Sequence, residues 1–162
     1  MNKKILFLGL LIILVVAILG VYFVQKNQEN AFYYSSPTPE EVVRQYFTAW
    51  GNKNYPDMYS TISDGFKKIE PTANNLTSFR NYTNSQGIEA VNIINIKEKS
   101  NDGTTAEVDY SVKFVIGEGN ESHENVDQKR DFSGNFTLKY RQGDVIHGWK
   151  LIHPYGANID TA

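Results

Sequence analysis

Residues 104–117, TTAEVDYSVKFVIG, alternate apolar and polar side chains. Ala106, Val108, Tyr110, Val112, Phe114 and Ile116 fall on one face of an extended chain, and Thr105, Glu107, Asp109, Ser111 and Lys113 on the other, because successive side chains of a strand point in opposite directions. A run with one oily face is a half-buried strand of an antiparallel sheet. Upstream, Asn101-Asp102-Gly103 is a turn of residues that tolerate positive φ, and Val91, Ile93, Ile94 and Ile96 mark the preceding strand. Downstream, beyond the charged loop GEGNESHENVDQ, residues 131–143 (DFSGNFTLKYRQG) repeat the alternation, with Phe132, Phe136, Leu138 and Tyr140 on one face. Gly134 interrupts that face and predicts a bulge or bend. A turn at Gln142-Gly143-Asp144 leads into a last strand, so the second half of the chain reads as a four-stranded meander.

Before Gly87 the rhythm is helical. Thr38, followed three residues later by Glu41, forms a capping box, and Pro39 occupies the first helical position. Val42, Val43, Tyr46, Phe47 and Trp50 then recur at helical spacing until Gly51. A second helix starts near Pro56, carries Tyr55, Met58, Tyr59 and Ile62, and breaks at Asp64-Gly65. A third runs from Thr77 with Leu76, Phe79 and Tyr82 inward and Gly87 as its stop. Three helices covering the apolar face of a curved antiparallel sheet of about four strands make an α+β fold.

The N-terminus is of another kind. Ile5 to Val24 are twenty residues without a charge, long enough as a helix to cross a bilayer's hydrocarbon core of about 30 Å. The run is longer than a signal peptide's apolar region and lacks small residues before a cut, so it predicts an uncleaved signal anchor over residues 1–24. Lys3 and Lys4 precede it, which keeps the N-terminus in the cytoplasm and sends the rest outside the cell membrane as a single-pass protein. Residues 25–36 read as a tether, 37–158 as one domain, and 159–162 as a tail. The 162 residues carry 16 Lys+Arg against 18 Asp+Glu. Mild acidity without a basic stripe argues against nucleic acid. With no cysteine, neither a disulfide nor a lipid on a cysteine holds the chain.

Little else in the sequence looks like chemistry. Counting by twos through HGWKLIH places His147, Trp149, Leu151 and His153 on one face. Six residues of straight strand would part the imidazoles by roughly 20 Å, too far for one zinc ion with ligands near 2 Å. No metal and no cofactor is expected, and no catalytic residue is assigned. His123 sits among Glu121, Glu124 and Asp127 in a loop without calcium spacing. There is no G-x-S-x-G, H-E-x-x-H or Walker loop. The aromatics are core or the lining of a pocket, and Trp50, Tyr110, Trp149 and His153 are the candidates for a ligand-binding mouth.

The stretch PEEVVRQYFTAWGNKNYPDMYSTIS (39–63) is similar to the opening of nuclear transport factor 2-like domains in bacterial envelope proteins. FRNYTNSQGIEAVNI (79–93) and GWKLIHP (148–154) resemble the membrane-proximal domain of MecA-type penicillin-binding proteins. The resemblance covers about residues 37–158 and implies a cone: a strongly curved sheet wrapped over helices, with a pocket at its mouth. The chain has no S-x-x-K, S-D-N or K-T-G, which excludes transpeptidation. Stand-alone members of the fold act as isomerases or dehydratases with a pocket Asp and His, a dyad that no residue here matches. The expectation is a non-catalytic, membrane-anchored envelope domain that binds or spaces a protein or cell-wall partner, with the open sheet face available for a homodimer. The alternative is a small-molecule pocket protein or an isomerase/dehydratase of the same fold.

Overall fold

A computed structural model describes residues 14–22, 37–117 and 128–155. The chain divides into two units, Met1–Ser36 and Pro37–Ala162. In the first, residues 14–22 form helix α1, whose Leu14, Val16, Ile18 and Leu19 side chains are exposed. No helix of the described residues is long and apolar enough to cross a membrane. The remainder of the apolar run, the tether, the loop holding His123 and the tail from 159 lie outside the described residues.

The second unit is α+β, helices first and then a four-stranded antiparallel meander in the order β1-β2-β3-β4. The helices are α2 (Pro39–Gly51), α3 (Tyr55–Ser60), α4 (Asp64–Ile69) and α5 (Leu76–Ser85), with a 3₁₀ turn at Pro71–Ala73. The strands are β1 (Ile88–Asn101), β2 (Thr105–Ile116), β3 (Gln128–Arg141) and β4 (Gly148–Leu151).

Helix α2 starts as its sequence requires. Glu41 Oε2 accepts from the Thr38 N–H at 2.7 Å, and Thr38 Oγ1 accepts from the Glu41 N–H at 3.3 Å. Its stripe of Val42, Val43, Tyr46, Phe47 and Ala49 is buried. Gly51 has a reason beyond ending the helix: a Cβ there would stand 3.2 Å from the Val91 backbone nitrogen, so the glycine lets α2 close on β1.

The described residues of this unit form four α-helices rather than three. Asp64-Gly65 does not break the chain as its composition suggests, because Ser63 Oγ accepts from the Phe66 N–H at 3.2 Å and caps α4, with Asp64 in the first turn where a carboxylate is favoured. The Asp64 N–H donates to Asp144 Oδ2 at 2.9 Å, while Asp64 Oδ2 accepts from the Val145 N–H at 2.8 Å. This reciprocal pair ties α4 to the β3–β4 loop.

Gly134 does not mark a bulge. The pairing of β2 with β3 runs unbroken from Thr105–Lys139 to Ile116–Gln128, with Tyr110 opposite Gly134. A Cβ at Gly134 would lie 2.7 Å from Tyr110 Oη and 2.9 Å from Cζ, so the missing side chain gives the tyrosine ring room to lie across β3. The irregularities are in β1, where register shifts fall between Ile88 and Ala90, Ile93 and Asn95, and Glu98 and Ser100. Bulges bend a strand and raise its twist, and these curl the sheet into a half-barrel. The middle shift leaves Ile94 exposed and brings Ile96 inward.

Strand β4 is shorter than the sequence pattern suggests and is buried along its whole length. The segment at 61–63 covers its far side: the Leu151 N–H donates to the Thr61 carbonyl at 2.9 Å, and the Ser63 N–H to the Leu151 carbonyl at 3.0 Å. Lys150 is buried as well, its Nζ donating to the Ser60 carbonyl at 2.6 Å. Burial and then the nearby Lys67 charge hold the Lys150 ammonium below the ordinary lysine value, against the opposing pull of Asp144 and Asp64.

Gly134→Ala should lower stability by about 1–3 kcal/mol in denaturant unfolding, and by clearly less in a Tyr110→Leu background, because the clash is with that ring. Equal losses in both backgrounds would disprove the account. Partial burial pushes the Asp64 carboxyl up, but the Val145 N–H and the Lys67 ammonium outweigh it and hold the group below its ordinary value of 3.8. The stability it adds is therefore complete above that value and lost as pH falls through the lower folded one. Asp64→Ala should cost about 1–2 kcal/mol at neutral pH, and the gap from wild type should shrink on acidification below pH 3.8. A gap constant down to the acid limit would refute it.

Candidate functional site

The curl of the sheet leaves a cavity of about 230 Å³ between its concave face, α2 and α5. Helix α2 contributes Tyr46, Phe47 and Trp50, all on its buried stripe or at that stripe's margin. Tyr110 and Phe114 come from β2, and Phe132 and Phe136 from β3, all from the apolar side of the alternation. Tyr82 and Thr83 project from α5 and Gln86 from its C-terminal cap, and Pro154 and Tyr155 close the cavity from the turn after β4. Tyr55 Oη donates to Asn84 Oδ1, which fixes α5 against α3.

The lining rings brace one another. Phe47 stacks on Phe136 with centroids 5.7 Å apart, and Tyr110 lies 4.5 Å from Phe136. Trp50 meets Phe114 at 5.1 Å, and Phe114 meets Phe132 at the same distance. On the opposite wall Tyr82 and Tyr155 are 4.6 Å apart. The floor is buried, whereas Phe132 at the rim is 44% exposed and Gln86 is open to solvent.

Among the described residues, none that lines the cavity is Asp, Glu, Lys, Arg or His. The polar side-chain groups are hydroxyls, one amide and the indole N–H of Trp50. Burial, reinforced by the neighbouring phenols of Tyr155, Tyr110 and Tyr82, raises the Tyr46 hydroxyl well above the ordinary tyrosine value. Burial also raises Tyr110, and pushes Tyr155 up to about 12 against the opposing Thr72 side chain. These phenols stay protonated and neutral at physiological pH. Such a site can bind and orient, and the described lining residues include no carboxylate, imidazole or amine to exchange a proton near neutrality.

Of the four residues proposed for a ligand-binding mouth, Trp50 and Tyr110 line this cavity. Trp149 is 3% exposed and packs edge-on against Tyr140 at 5.6 Å, away from the cavity. His153 lies past the end of β4 with its ring 6.0 Å from Phe66, and His147 is exposed before the strand begins. Tyr82, Thr83, Gln86 and Tyr155 were not among the candidates. Thr83 and Gln86 carry a signal in retrospect: they follow the buried Phe79 at helical spacings of four and seven.

Three solved structures resemble the chain's fold to differing degrees. A Sec-C motif-containing protein from Psychrobacter arcticus superposes with a TM-score of 0.50 at 12% identity, over 79% of this chain and 68% of that chain. A protein from Xanthomonas campestris pv. campestris, provisionally described as a polyketide cyclase, has a TM-score of 0.46 at 18% identity, over 68% of this chain and 86% of its own. One from Pseudomonas putida KT2440, with the same provisional description, has a TM-score of 0.46 at 14% identity, over 72% and 91%. At such identities the likeness concerns the fold. Among curated proteins none matches in sequence. Residues 40–150, which include α2, the cavity's sheet wall and most of β4, match the family described as a domain of unknown function, DUF4829, and the chain belongs to that family.

Proposed function

We propose that the protein is a non-catalytic, small-molecule-binding domain of nuclear transport factor 2-like fold, held at the outer surface of a cell membrane by residues 5–24. The observation that carries the binding role is the cavity of about 230 Å³, braced by ring contacts and free of carboxylates, imidazoles and amines among its described lining residues. Acid–base catalysis needs a positioned group whose pKa lies near the working pH. The phenols here are displaced away from it. What supports the fold reading is the order of elements, helices first and then a curled meander. The closer likeness to the membrane-proximal domain of MecA-type penicillin-binding proteins rests on the motifs at 79–93 and 148–154, and the anchor on the uncharged run behind Lys3 and Lys4. The provisional names of the cyclase-like neighbours bring no activity to this chain.

The chain carries its own reporters. Of its two tryptophans, Trp50 lines the cavity and Trp149 does not, and Met58 lines it as well. When small ring compounds are added to the full-length protein in lipid nanodiscs, the Trp50 indole and Met58 methyl resonances should shift while Trp149 stays in place. The compound should be recovered unchanged. Shifts at Trp149 alone, silence from every compound, or turnover of a bound one would each defeat the reading.

A further inference from the structure

The cavity's chemistry also narrows its ligand, and this step rests on the binding role just proposed. An apolar cavity of about 150 Å³ accommodates benzene, roughly 25 Å³ for each heavy atom. By that measure the present cavity of about 230 Å³ suits one or two fused rings, and it is smaller than the roughly 300 Å³ at which drug-sized pockets begin. Its walls are mainly ring faces and edges, which favour a flat partner over a branched chain.

Charge is the second restriction. An ionised group entering the cavity would shed its hydration without meeting an opposite charge among the described lining residues. The third is Thr83. It lines the cavity from α5 and is 3% exposed, and its Oγ1 is buried without a hydrogen-bond partner among the described residues. A buried polar group in that state is costly, and a partner supplied from the cavity would relieve the cost. Threonine in a helix populates two χ1 wells, so its hydroxyl can turn toward a ligand without any movement of α5.

We infer that the cavity takes an uncharged, flat one- or two-ring molecule bearing a single hydrogen-bonding group, and that Thr83 is the residue that receives that group. The phenols of Tyr46, Tyr110 and Tyr155 surround the rings, and Gln86 stands at the entrance.

Indole, indene and benzoate, which are nearly equal in size, separate the three requirements. Their affinities for the full-length protein in nanodiscs are read from the Trp50 resonance at known free concentration. Indole should bind roughly three- to tenfold tighter than indene, the worth of one neutral hydrogen bond. Benzoate should bind at least about tenfold more weakly than indole. Thr83→Val, nearly the same shape, should abolish the preference for indole and leave indene unchanged, and Thr83→Ser should restore it. Thermal unfolding of both variants confirms that they fold. Indole and indene binding equally to wild type, or a preference that survives Thr83→Val, overturns the inference while the binding role stands. Benzoate binding as tightly as indole overturns it too. Failure of all three to bind removes the binding role and the inference together.

Discussion

The stack of Phe47 on Phe136 is the contact on which the rest of the domain depends, because it seats α2 inside the curl of the sheet. Phe47 also meets Tyr110 at 5.0 Å, so one side chain of α2 touches both central strands. A helix with its side chains is about 10 Å across, and a flat sheet could not embrace it. The register shifts in β1 bend one margin of the sheet around α2, and the bare backbone at Gly134 lets the Tyr110 ring settle against Phe136. Curvature and ring packing are thus one requirement: without the bend the rings do not meet, and without the rings nothing holds the helix in the bend.

The other margin is held by polar contacts. Strand β4 would be an exposed edge, a template for unwanted pairing, but the segment at 61–63 pairs with Leu151 on its free side. The Asp64–Asp144 exchange and the Lys150 bond to the Ser60 carbonyl fix that segment. Two carboxylates so close would repel, and the ammonium of Lys67 at 3.1 Å from Asp64 together with Arg141 at 3.7 Å from Asp144 offsets the repulsion. The turn carrying Pro154 and Tyr155 follows directly from this braced strand. The outer wall of the cavity is therefore anchored to structure that does not itself touch the cavity.

Periods generated within one element were legible in the sequence, and features that need a partner were not. Helix α2 and strand β2 occur where their spacing places them, since capping and alternation are local. Helix α4 was hidden because Asp64-Gly65 reads as a turn, while the competing Ser63 cap shows only once the hydroxyl meets the Phe66 N–H. A glycine inside a strand signals either a bulge or a neighbour pressing close, and only the opposing Tyr110 decides which applies at Gly134. The parity change within β1 depends in the same way on its pairing with β2. Trp50 and Tyr110 could be chosen for the site because they sit on clean apolar stripes. Trp149 lies within β4 but packs on Tyr140, and His153 falls beyond the strand, which stops at Leu151. Thr83 escaped notice because a small residue on an apolar stripe reads as filler.

That the space beside Thr83 stays open at all has a physical basis. Protein interiors pack to crystal-like density, and small domains close their voids when side chains are free to relax. Here they are not free. Trp50 leans on Phe114 and Phe114 on Phe132 along one wall, and Tyr82 leans on Tyr155, itself edge-on to Phe66, along the other. Each ring already rests against a neighbouring ring, so a ring that swung into the void would open a new gap where it had stood. In apolar cavities the lost packing amounts to about 24 cal/mol for each Å³. A molecule that fits regains part of that without reordering the walls, and the entropy of ordering is the term that most often erodes binding. The same ring packing that holds α2 in the sheet therefore keeps the cavity preformed, which makes fold stability and readiness to bind consequences of one set of side chains.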